Sequence, residues 1–149
     1  MGFVVFAHLL GSALWIGGAL AAMVIAIGVK GEQAAVRAGV FRLLAKVHTL
    51  VIGVGAMLAV STGVVLTMSL SSEAMRDPRL WVMQGAGLLG GVLVLFVGLP
   101  TAVKMGGLAV MQEDGQLLPA FELYRKRQAV VSSIAGALAI VALLAWKVL

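Results

Sequence analysis

The chain has no cysteine, which excludes disulfides, thiolate metal centres and a nucleophilic thiol together. Any metal must therefore be held by His, Met or carboxylate. Acidic residues are scarce, six Asp and Glu among 149 residues, and none falls in the long apolar runs. Charged residues make up only 11% of the sequence against 62% hydrophobic, with a mean hydropathy of +1.11. Those proportions exclude a soluble domain with an ordinary polar surface. The length suits one domain, and at about 20 apolar residues per crossing it accommodates about four membrane helices. No room remains for a separate soluble catalytic domain.

The apolar runs cover residues 3–29, 47–70, 80–103 and 129–148. They are continuous and too long for barrel strands of alternating polarity. The expected fold is all-α: a single transmembrane domain, 1–149, forming a four-helix bundle in the lipid bilayer. The first run lacks a basic leader and is about twice the length of a signal-peptide apolar core, so it reads as helix 1. Lys30, Arg37, Arg42 and Lys46 lie between runs 1 and 2, and Lys104, Arg125, Lys126 and Arg127 between runs 3 and 4. Only Arg76, Arg79 and Lys147 lie elsewhere. This excess predicts cytoplasmic first and third loops and both termini outside, with Trp81 and Trp146 at the outer boundary. The net charge of +5 is thus a topology signal, and no nucleic-acid partner is expected.

The residues after Gly31 favour helix, so helix 2 is expected to begin before the membrane. Gly106-Gly107 and Glu113-Asp114-Gly115 predict turns, Pro119 a helix start, and Pro100 a bend near the inner end of helix 3. Small residues predict the packed faces: Gly55, Ala59 and Gly63 on helix 2, Gly87 and Gly91 on helix 3, Ser132 and Gly136 on helix 4. At about 100° per residue, His8, Gly11, Ser12, Trp15, Ala19 and Ala22 share one stripe of helix 1, and His48, Ile52, Gly55, Ala59 and Thr62 one of helix 2.

An ionisable residue within a span is a candidate functional group. The two histidines, His8 near the outer side and His48 at the inner entrance of helix 2, are predicted to differ in depth by roughly 30 Å. They cannot then be two axial ligands of one haem. The topology gathers His8, Ser12, Thr67, Met68, Met83 and Gln84 at the outer end, where His with Met suits either haem or Cu(I). The structural alternatives are a single interhelical hydrogen bond for His8, packing for the methionines and core filling for Trp15. His48, beside Lys46, is expected at the headgroups and not as an essential ligand.

The segment His8-Leu9-Leu10-Gly11-Ser12-Ala13-Leu14-Trp15-Ile16-Gly17-Gly18 resembles the first-helix pattern of small bacterial membrane proteins of the CopD type. It is also similar to the His and Trp placement of HemJ-type protoporphyrinogen oxidases. The resemblance implies a bacterial inner-membrane protein and makes His8 a haem b ligand. That family pairs its His with a Lys on helix 3, whereas the only Lys on that helix here is Lys104, at the opposite end.

Three functions compete. A haem-binding redox protein, or a subunit of a redox complex, would use His8 with Trp15 and Gly11 against the macrocycle and Met68 or Met83 opposite. A copper-handling protein would use His8, Met68 and Met83. A packing or assembly subunit needs only the small residues, and a homo-oligomer or partner membrane subunits are expected in each case. An ion-coupled transporter is disfavoured by the lack of intramembrane carboxylates, and a retinal protein by the lack of a mid-membrane Lys.

Overall fold

Each apolar run closes into a helix because lipid offers no partner to a bare backbone, and a helix satisfies its amides internally. The computed structural model of the protein describes residues 1–110, 112 and 116–148, with side chains through 145. The helices are α1 (Gly2–Gly28), α2 (Ala34–Met68), α3 (Pro78–Leu108) and α4 (Pro119–Val148). All four are long and apolar enough to cross a membrane, and no strand forms among the described residues. Large apolar side chains, among them Phe3, Phe6, Leu9, Leu50, Met57, Leu89 and Phe96, face outward. Exposed apolar surface on that scale suits lipid, not water.

Three helices run beyond the apolar segments at the end of the bundle where Lys and Arg concentrate, here termed the basic end. α2 begins at Ala34 instead of 47, α3 continues to Leu108 instead of 103, and α4 starts at Pro119 instead of 129. Packing extends them: Phe41 and Leu44 of α2, Met105 of α3 and Phe121 of α4 are buried together. Phe121 stands edge-on to Phe41, with ring centroids 5.1 Å apart and an interplanar angle of 73°. Above this cluster Glu122 accepts from Arg37 Nη2 at 2.6 Å and from Arg125 Nε at 2.8 Å, tying α2 to α4. The turn expected at Glu113-Asp114-Gly115 lies outside the described residues, as does the side chain of Trp146.

At the opposite end, the termini end, Asp77 caps α3 by accepting from Arg79 N, with Pro78 in the first turn. Trp81 is exposed there and its indole donates to Met75 O.

α1 lies along α2 and α3 along α4, so the bundle is two hairpins packed together. Within the first hairpin the approach is as close as the backbones allow. A Cβ on Gly55 would stand 2.6 Å from Trp15 N, and one on Gly11 2.7 Å from Ala59 N. On α3, Gly90 and Gly91 take the edge of the Trp15 ring and the Val60 side chain. α4 departs from its predicted face. A methyl group on Gly136 would meet nothing within 4 Å, and the buried line is Gln128, Val131, Ala135 and Ala139.

Both central helices contain a π-turn, at His48–Gly53 in α2 and Leu93–Gly98 in α3. In α3 the turn precedes Pro100, which has no amide to offer the preceding carbonyls. Thr101 Oγ1 donates to Val97 O just past it. In α2, His48 Nδ1 donates to Leu44 O and Thr49 Oγ1 to Ala45 O, so side chains supplement the ladder where its register shifts.

Candidate functional site

The helices are closely packed at the basic end and part towards the termini end. Between them lies a cavity of about 560 Å³ with mostly apolar walls, extending from Trp15 to the α2–α3 loop. All six residues that the sequence gathers at this end line it: His8 and Ser12 of α1, Thr67 and Met68 of α2, Met83 and Gln84 of α3. Trp15 forms part of its wall, at 4% exposure. Met68 is at its rim, 83% exposed, while Met83 is half-buried. Gly11 does not line the cavity; it faces the α2 backbone, where its missing side chain permits the helix contact.

His8 is held from α2. Its Nδ1 lies 2.9 Å from Ala59 O and 3.2 Å from Thr62 Oγ1. A carbonyl only accepts, so Nδ1 carries the hydrogen, and the Thr62 hydroxyl is directed to Leu58 O. In the neutral ring the lone pair is then on Nε2, which accepts no hydrogen bond among the described residues. The ring rests on Gly63, where a Cβ would be 3.2 Å from its Cε1. Across the cavity, Gln84 Nε2 donates to Thr67 Oγ1 at 2.9 Å, and Thr67 donates on to Gly63 O. This chain of bonds fixes the amide against α2.

Because Ala59 and Gly63 flank the His8 ring, His8 is level with the middle of that segment. His48 is 11 to 15 residues away along α2, an axial separation of about 20 Å, not 30 Å. The register of α1 against α2, set by the Gly11–Gly55 contact, makes the difference. The two imidazoles still cannot share an ion. His48 faces the bundle interior: it is 8% exposed and lines a small second cavity of about 10 Å³ with Trp15, Gln128 and Ser132. The signal for Gln128 was its spacing, four residues before Ser132 on the face that continues through Ala135 and Ala139.

The indole N–H of Trp15 has no hydrogen-bond partner among the described residues. The ring instead fills the space over Gly90 and Gly91. Among the described residues no three His, Asp or Glu side chains converge as a metal site. Compared with known protein families, curated proteins and solved structures, the chain shows no match.

Proposed function

We propose that the protein is a haem-binding membrane redox protein, or the haem-carrying subunit of a redox complex, with His8 as axial ligand in the larger cavity. One observation carries this reading: an imidazole whose Nδ1 is fixed by a backbone carbonyl, with its Nε2 lone pair uncommitted, on the wall of a large apolar cavity. A carbonyl on one ring nitrogen orients the other for iron and raises its basicity. The volume falls in the range of organic-ligand sites, roughly 300–1,000 Å³, and far exceeds what a bare ion fills. Its apolar walls suit a macrocycle. Met83, half-buried in the wall, is better placed than the exposed Met68 as a second ligand. Haem b would supply one-electron transfer; the chain supplies orientation through Ala59 and Thr62 and a water-poor setting.

Copper is the weaker reading, since the cavity offers one imidazole and two thioethers for an ion and leaves most of the space unused. In this proposal the protein lies in a bacterial inner membrane with both termini outside, so that the haem faces the outer side. Its outward apolar surface meets lipid, further copies or partner subunits.

The test is a reduced-minus-oxidised spectrum of protein purified from haem-replete cells. Wild type is expected to show a Soret band that His8→Ala loses and His48→Gln keeps. A band unchanged in His8→Ala excludes His8, and a colourless wild type that copurifies copper or lipid removes the haem reading.

A further inference from the structure

The second cavity lies towards the basic end, is lined by all four helices, and is separate from the proposed haem site. Its polar groups are Gln128 and His48, both more than nine-tenths buried, together with Ser132. Gln128 Nε2 donates to Ser132 Oγ at 3.2 Å, but its Oε1 is buried with no partner. His48 Nδ1 is 2.8 Å from Leu44 O and must be the donor, which leaves a lone pair on Nε2 of the neutral ring. Two acceptors, an amide oxygen and an imidazole nitrogen, therefore belong to side chains that line one cavity, and neither can satisfy the other. The remaining wall is Trp15, Ala19, Ile52, Val94 and other apolar residues; no Asp, Glu, Lys or Arg lines it.

What two acceptors on the wall of one cavity need is a molecule with two hydrogens to give. The cavity, about 10 Å³, is the size at which a single water fits, and a buried water requires two to four polar partners. We propose that it binds one water molecule, which donates one hydrogen to His48 Nε2 and the other to Gln128 Oε1. The water joins α2 to α4 beside both π-turns. Trp15 lines both cavities, and in the wall of the smaller one the Ser132 hydroxyl, whose oxygen accepts from Gln128, keeps a hydrogen that the water oxygen can accept. The role of His48 is then to hold this water, which accounts for an intramembrane imidazole that is too far from His8 to share a ligand.

The experiment is solid-state NMR on full-length protein with ¹⁵N-labelled histidine and glutamine in lipid bilayers. Its outcome does not depend on whether haem binds. The expected result is a neutral His48 ring protonated at Nδ1, with magnetisation transfer from water to Nε2. In Gln128→Leu the transfer should fall at least several-fold, because the water loses one of its two acceptors and an apolar side chain takes that part of so small a space. His8 in the same sample reports that the variant is folded. Three results overturn the proposal: a ring protonated at Nε2, direct transfer from the Gln128 amide to His48 without water contact, or undiminished water transfer in folded Gln128→Leu.

Discussion

Gly55 has less room than a methyl group needs. The atoms a Cβ would meet are the Trp15 amide nitrogen and the Gly11 carbonyl, at 2.6 and 2.8 Å, and backbone cannot swing aside as a long side chain can. Gly55→Ala should force α1 and α2 apart and destabilise the bundle by about 1–3 kcal/mol, the usual cost of overpacking. Gly17 lies two residues past Trp15 on α1, exposed, with nothing near its would-be Cβ. Gly17→Ala should be neutral or stabilise by up to ~1 kcal/mol through helix propensity. Unfolding titrations in mixed micelles, followed by circular dichroism, compare the two; equal midpoints would refute the close-contact account. Residue identity alone does not separate these glycines. Both are helical and both fall in small-residue patterns, and only the partner helix distinguishes them.

For the helical elements, the question is what holds the extensions of α2 and α4 together at the basic end. Two candidates sit side by side, the Glu122 ion pairs and the Phe41–Phe121 contact. The Glu122 carboxylate is more than a third exposed, and ion pairs at such sites contribute roughly 0–1 kcal/mol. Phe121 is 0% exposed, and truncating a buried Phe costs about 3–5 kcal/mol. Phe121→Ala should therefore lower the unfolding midpoint much more than Glu122→Gln, and only the Glu122 effect should shrink with added salt. The reverse order would mean that electrostatics anchors these extensions. The start of α4 at Pro119 and the early start of α2 were legible from proline placement and helix propensity. The π-turns were not, apart from the hint of Pro100, because a shift in amide register has no periodic signature.

Across the molecule as a whole, the distribution of Lys and Arg sets a direction that the helices themselves do not. Eight of the eleven lie towards one end of the bundle: Lys30 in the α1–α2 connection, Arg37, Arg42 and Lys46 in the first half of α2, Lys104 near the end of α3, and Arg125, Lys126 and Arg127 near the start of α4. Cytoplasmic retention of positive charge then predicts that this end faces inward. Gln33 and Ser71 are both exposed, at opposite ends. In a chain with no native cysteine, Gln33→Cys should react with an impermeant maleimide only after cells are opened, and Ser71→Cys in intact cells. Labelling of Gln33→Cys in intact cells would invert the topology and place the proposed haem on the cytoplasmic side.

Hydropathy is a sum over neighbours in the chain, so composition and run length were enough to establish a four-helix membrane bundle. The same local logic brought His8, Ser12, Thr67, Met68, Met83 and Gln84 to one end, since helix rise and alternating direction fix depth to within a few turns. The rest depended on how helices interlock. Register came from Gly11 against Gly55, which moved His8 level with Ala59 and shortened its distance to His48. The parting of the helices that opens a cavity at one end, and the closing of the other over Phe121, follow from side-chain volumes on different helices, which periodicity along one helix does not contain. His48 and Gln128 are eighty residues apart in sequence, each flanked by the cations of the basic end. Only the closing of all four helices around a common interior placed both side chains on the wall of one small cavity.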